Sequence, residues 1–296
     1  MGQTISKIDI HVHTSEARRG IDRLPDGNFC TPGQLLEKYR VLGIERGVLL
    51  PMVNPECAYT MQTNEQAMEI AQNDPAHFSW FCNIDPRMGG NSPDTDLSYF
   101  MEHYKALGAK GVGEVTANYP FDHPFMKNLF YHAQRCGLPL TFHIAPQQYG
   151  CYGIVDGLGL PKLEQTLADF PSLRFLGHSQ PFWAEISADV TEESRNGYPT
   201  GRVVPGRLVE LLRRYPNLCC DLSAGSGYNA VTRDPDFGLA FLEEFQDRLY
   251  FGTDICDPRN DMKLSHWLDG QMLAGRLSER AYRKICRDNA AALLEL

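Results

Sequence analysis

The sequence predicts an α/β fold of the (β/α)8 barrel type, a TIM barrel forming one domain over residues 1–296. Three observations lead there. Eight short, apolar, β-branched segments recur along the chain, and segments with helical spacing separate them. Neither a GxGxxG turn after the first strand nor a Walker A sequence, the phosphate-binding marks of open nucleotide-binding sheets, is present.

The strands are expected at 7–12, 47–53, 78–84, 111–115, 138–144, 173–176, 217–222 and 248–252, and the helices between them at 32–42, 64–72, 96–107, 125–136, 160–170, 205–215 and 237–245. Helix starts carry their own signals. Thr31 precedes Pro32, a cap residue before a first-turn proline, and Thr63 has Gln66 in the capping-box position. Repeated βα units imply a parallel sheet with helical crossovers, and eight of them close into a ring. The tail at 278–296 reads as one or two helices capping the end of the barrel, and the irregular stretch 181–204, after the sixth strand, as a lid or pocket wall on the C-terminal face.

Composition narrows the function. Hydrophobic residues at 43% and charged residues at 22% are those of an ordinary folded protein. A net charge of −9 excludes a broad phosphate-binding surface, so no nucleic-acid partner is expected. Anions must be caught locally, with Arg18, Arg19, Arg23, Arg87 and Arg259 on loops as candidates. The nine cysteines form no CxxC pair, and with no secretory apolar segment before residue 10 they point to reduced thiols in a cytoplasm. Cys219 and Cys220 are adjacent on a strand and face opposite ways, which suits packing better than a shared metal. No apolar run approaches the ~20 residues needed to cross a bilayer, so no membrane partner is expected. A small molecule is the expected substrate, and a homodimer the base-rate assembly.

The chemistry gathers at predicted strand ends. The first strand reads Asp9-Ile10-His11-Val12-His13, in which period two places Asp9, His11 and His13 on one face and Ile8, Ile10 and Val12 on the other, toward the helices. Two imidazoles at i and i+2 can share one ion. Glu114 ends the fourth strand, His143 the fifth, His178 follows the sixth, and Asp254 follows the eighth. The C-terminal ends of barrel strands are where such enzymes build their sites, so these six residues converge only if the barrel forms. Nitrogen and carboxylate donors suit a divalent ion, Zn2+ first, with Mn2+ or Fe2+ as alternatives. Of the remaining histidines, His77, His103, His132 and His266 are expected in or beside helices, and His123, in the loop after Glu114, is expected either solvated or at the pocket rim.

With Asp9-Ile-His11-Val-His13, His143, His178 and Asp254 in these places, the sequence resembles the amidohydrolase superfamily. Pro181-Phe182-Trp183 after His178, Tyr215-Pro216-Asn217-Leu218 leading to Asp221-Leu222-Ser223, and Phe251-Gly252-Thr253-Asp254 look like its amidohydrolase-2 branch, related to aminocarboxymuconate-semialdehyde decarboxylase. The resemblance implies that His11, His13, His143 and Asp254 bind one ion, with His178 completing the shell or acting on substrate. Glu114 is the departure: it sits where some superfamily hydrolases place a carboxylate bridging two ions, and His143 and His178 would then hold the second.

Two reactions follow. The first is hydrolysis of a small carboxylic ester, lactone or amide through a metal-bound hydroxide, with Asp254 and His178 as the catalytic pair. The alternative is non-oxidative, metal-dependent decarboxylation of an aromatic or muconate-like acid, a lyase reaction for which Pro181-Phe182-Trp183 would supply a flat wall. Ser223, Ser226 and the glycines around them are read either as a carboxylate cradle or as a plain turn.

Overall fold

The computed structural model describes residues 3–16, 29–57 and 61–296. Its strands are β1 (Lys7–Val12), β2 (Ile44–Leu49), β3 (Phe78–Trp80), β4 (Val112–Val115), β5 (Leu140–Ala145), β6 (Ile154–Val155), β7 (Phe175–His178), β8 (Leu218–Asp221) and β9 (Leu249–Tyr250). Every paired strand is parallel. One sheet runs β1-β2-β3 and the other β4-β5-β7-β8-β9, with β6 attached beside β5. Backbone bonds close the two into a ring. Cys82, just past β3, donates to Gly111 O at 2.9 Å and accepts from Gly113 at 2.8 Å, while Ile10 donates to Phe251 O at 3.0 Å and His13 to Ile255 O at 2.9 Å. The eight expected strands are therefore the eight staves of the barrel, and the two-residue β6 is an addition in the loop after β5.

The helix Pro32–Leu42 begins with the expected Thr31–Gln34 capping box and Pro32, and Asn64–Asn73 with the Thr63–Gln66 box. Three helices are not expected from the sequence, Gln180–Ala184, Ala224–Thr232 and Leu264–Leu273. The tail is helical at Glu279–Arg283 and Asn289–Leu294 with a wider π turn between them.

The inside of the barrel holds one unexpected arrangement. Asp9 pairs with Gly47 and Val12 with Leu49, so β1 takes three steps where β2 takes two, a bulge that changes the phase of alternation. Below it, Ile8 and Ile10 pack with Val48, Leu50, Phe81, Leu176, Cys219 and Tyr250, and Ala290 and Leu294 of the last helix join them. Val12, by contrast, joins the outer core between strands and helices, and the Tyr39 hydroxyl on the first helix donates to Asp9 at 2.7 Å. The expected assignment of Ile8 and Ile10 to the helix side, and of Asp9 to the side of the histidines, is thus reversed. His11 and His13 still reach the mouth, because the extra residue turns them inward above the apolar plug. Cys219 and Cys220 do face opposite ways, Cys219 into the plug and Cys220 into the outer core.

The stretch 181–204 also differs from expectation. It opens inside a short helix, Gln180–Ala184, in which Phe182 and Trp183 are buried. Phe182 packs edge-on against Phe142, and the Trp183 indole donates to Asp221 O at 3.0 Å. These rings are core, so they form no wall for a flat substrate. Further along, Arg195 is fully buried and donates to Asp156 O at 3.0 Å, which anchors the loop to the body of the protein.

Candidate metal centre

Each polar side chain at the mouth is aimed by its strand and then fixed by a second contact. His11 Nδ1 lies 2.6 Å from Asp221 Oδ2, and His13 Nδ1 lies 2.8 Å from Leu50 O. Both acceptors hold the Nδ1 proton, so Nε2 is the nitrogen that each ring offers to the centre. The two Nε2 atoms stand 3.0 Å apart. Asp254 Oδ1 lies 3.5 Å from His11 Nε2 and 3.3 Å from His13 Nε2, and Glu114 Oε2 lies 3.5 and 3.6 Å from the same nitrogens. Donors at about 2.0–2.2 Å from a divalent ion, with angles near 90–109° between them, stand about 2.9–3.6 Å from one another. The spacing of these four residues fits an ion.

His143 and His178 flank this set. His143 Nδ1 lies 2.9 Å from Glu114 Oε1, so one carboxylate faces the His11–His13 pair with one oxygen and His143 with the other. His178 Nε2 lies 3.6 Å from Asp254 Oδ2. Candidate ligand groups among the described residues are accordingly His11 with His13 and Asp254, Glu114 with His143 and His178, and His11 with His178 and Asp221. All six residues marked in the sequence come together.

The backbone is shaped for this. Gly113 has φ +147°, and a Cβ there would stand 2.8 Å from Thr141 O, so only glycine lets β4 deliver Glu114 beside β5. Asp254 is a non-glycine residue at φ +57°, held there as its amide donates to His11 O at 2.8 Å. Asp9 secures the same turn from behind, accepting from Thr253 N at 2.8 Å and from Thr253 Oγ1 at 2.5 Å.

Electrostatics follow from this crowding. Burial pushes the His11 imidazole down, yet Asp221, Asp254 and Glu114 together outweigh it and raise its pKa well above the usual value. His13 is also opposed by burial, but hydrogen bonds to Asp254 and Glu114 bring it up to about 9. Burial lifts Glu114 and Asp254, and the neighbouring imidazoles overcome it, holding both carboxyls well below the carboxylate range. For Asp9 burial wins over four hydrogen bonds and the pKa rises to about 6. Only the Asp254 side chain among the four central residues has substantial access to solvent, at 27%.

The supporting groups are not evident from the sequence. In the sequence Asp221 belongs only to the family-like motif and Ser223 to a carboxylate cradle or a plain turn, whereas in the structure Asp221 orients His11 and the Ser223 hydroxyl lies 2.9 Å from His178 Nδ1. Their signal was position: Asp221 is two residues beyond inward-facing Cys219, at a strand end. Tyr152, unmarked in sequence, is a half-exposed ring with its centroid 4.7 Å from that of His143. Among the loop arginines, Arg87 is committed to Asp85 at 2.6 Å and Glu56 at 3.0 Å, and Arg259 pairs with Asp257 at 2.6 Å. Arg18, Arg19 and Arg23 lie outside the described residues. His123 caps the helix Pro124–Cys136. Ser226 lies within the first turn of Ala224–Thr232, so a helix start stands where a plain turn was one expectation. No helix among the described residues is long and apolar enough to cross a membrane.

Comparison with known proteins agrees with this arrangement. A search of curated proteins finds no match. Among solved structures, a TIM-barrel protein from Bordetella bronchiseptica is similar at TM-score 0.63 and 17% identity, covering 98% of this chain and 99% of that one. A Pseudomonas putida protein named as a 2-pyrone-4,6-dicarboxylic acid hydrolase aligns at TM-score 0.62 and 15% identity, over 99% and 98% of the two chains. A 2,6-dihydroxybenzoate decarboxylase from Rhizobium aligns at TM-score 0.62 and 15% identity, over 99% of each. Identities this low speak to the fold, and the fold is the TIM barrel. The amidohydrolase family model of the amidohydrolase-2 type matches residues 8–296, nearly the whole chain, and the chain therefore belongs to the amidohydrolases of that branch.

Proposed function

We propose that the protein is a zinc-dependent hydrolase of a small carboxylic ester, lactone or amide, working in the cytoplasm. The observation that carries this is Glu114, whose Oε2 stands 3.5 and 3.6 Å from the paired histidine nitrogens. A second carboxylate there opposes chelation of a substrate carboxylate, the binding that decarboxylation requires, and favours a neutral carbonyl. His11, His13, Asp254 and Glu114 would hold the ion, with Glu114 able to reach His143 on its other side. Bound there, Zn2+ supplies Lewis acidity and lowers the pKa of a coordinated water from 15.7 to about 7.

The chain's own groups do the rest. Asp254, open to solvent and kept ionised by its imidazole neighbours, takes the proton of the attacking water and passes it to the leaving group. His178 Nε2 faces the outer oxygen of Asp254, which places it to donate to the oxyanion that develops on the attacked carbonyl. Tyr152 forms part of the rim over His143.

Decarboxylation of an aromatic or muconate-like acid is the second reading. Tyr152, a half-exposed ring beside His143, favours it by offering one flat surface, whereas the buried Phe182 and Trp183 offer none. A panel of lactones and esters set against aromatic carboxylic acids separates the two: proton release on the first supports hydrolysis, and carbon dioxide from the second replaces it with lyase chemistry.

A further inference from the structure

We propose that Asp221 and Ser223 are positioning residues that fix the tautomer of His178, so that its Nε2 donates a hydrogen bond into the centre rather than lending a lone pair to the ion. The consequence for catalysis rests on the metal-hydrolase reading above; the tautomer itself does not.

The protons around His11 and His178 can be counted. Asp221 Oδ2, 2.6 Å from His11 Nδ1, is an acceptor, so the proton of that contact belongs to His11. Ser223 Oγ lies 3.3 Å from the same Nδ1 and 2.9 Å from His178 Nδ1. His11 Nδ1 already carries a proton and cannot accept another, so the serine hydroxyl has one acceptor among the described residues, His178 Nδ1. A neutral imidazole that accepts at Nδ1 carries its proton on Nε2. That atom points at Asp254 Oδ2, 3.6 Å away.

The reverse assignment, with His178 Nδ1 donating to Ser223, would strand the serine proton. Ser223 is fully buried, and no other acceptor for its hydroxyl stands among the described residues. Ser223 also occupies the cap position of the helix Ala224–Thr232, where a serine normally accepts from a first-turn amide, yet it makes no such bond. Its own amide is instead tied to Asp221 Oδ1 at 2.9 Å, which holds the hydroxyl over the two histidines. One aspartate thus sets His11 as a lone-pair donor and, through the serine it orients, His178 as a proton donor.

The test is long-range proton–nitrogen NMR on zinc-titrated protein labelled with 15N-histidine, with His178→Gln to identify the signal. The expected pattern for His178 is the Nε2–H tautomer, and an Nδ1–H pattern overturns the proposal. Ser223→Ala should release that preference with zinc affinity unchanged, while Asp221→Asn should weaken zinc by roughly 10- to 100-fold through His11. Ser223→Thr should restore the wild-type tautomer. Zinc lost as severely in Ser223→Ala as in Asp221→Asn would make His178 a ligand and sink the assignment. A wild-type chain that takes up no zinc contradicts the functional reading instead, and the tautomer read from the same sample still decides this one.

Discussion

Lys7 and Asp9, below the bulge in β1, and His11 and His13, above it, are four buried polar residues of one strand that meet different fates. Below the bulge the partners close the account of each charge. Lys7 Nζ sits 2.8 Å from Asp269, whose same oxygen accepts from Tyr282 at 2.6 Å, and Asp9 collects bonds from Tyr39, Thr253 and the His11 amide. Above it, each imidazole has one nitrogen satisfied and the other turned toward its twin and two carboxylates. Buried charge that is matched on all sides is structural. Buried donors that converge on one another, with like neighbours 3.0 Å apart, are arranged for something between them.

The largest effect should come from the upper set. Asp254→Asn keeps the shape of the turn but cannot take a proton, and turnover should fall by about 10²–10⁴-fold in protein loaded with the ion to the wild-type content. Full activity in that variant, with the ion in place, would remove Asp254 from the chemistry. His13→Ala should next abolish ion uptake while leaving the fold intact by circular dichroism, because its loss unburdens a crowded cluster. If ion content survives, the histidine pair is not the anchor.

Lys7→Ala is the contrasting case. It strips a partner from a buried pair and should cost about 3 kcal/mol in denaturant unfolding, with ion affinity unaltered. A fall in ion affinity of equal size would erase the distinction between the two halves of the strand. The smallest effect is on pH. In ion-free protein the His13 proton contributes stability that is fully present below pH 6.5 and lost as pH rises through about 9, since its folded pKa is raised. The ion competes with that proton, so ion affinity should climb over the same window. Thermal melts of stripped and loaded protein from pH 6 to 10 should therefore diverge.

Much of this was legible in the sequence because strands and ligands share a signal. An ionisable residue at the end of a short apolar segment marks both a stave and the mouth, and all six marked residues meet there. The bulge was not legible. Asp9-Ile10-His11-Val12-His13 alternates without interruption, and only pairing with Gly47 and Leu49 reveals the extra step. The helix at Ala224–Thr232 hid behind Ala-Gly-Ser-Gly, residues of turn chemistry that the surrounding fold overrides. Phe182 and Trp183 read as exposed wall because a long irregular stretch followed them, and burial beside Phe142 is a tertiary fact. Asp221 escaped for a similar reason: its partner, His11, lies 210 positions away in the chain.

Metal content per chain, by elemental analysis of protein purified without chelators, decides whether the mouth of the barrel holds an ion. The expected result is at least one divalent ion per chain, chiefly zinc, lost in His11→Ala. About one ion per chain keeps Glu114 as a ligand beside His11, His13 and Asp254, and about two, with Glu114 as the bridge and His178 as a ligand, would overturn the tautomer assigned to His178. A folded wild-type chain that carries no divalent ion and takes none up on titration would mean that the six residues serve no metal.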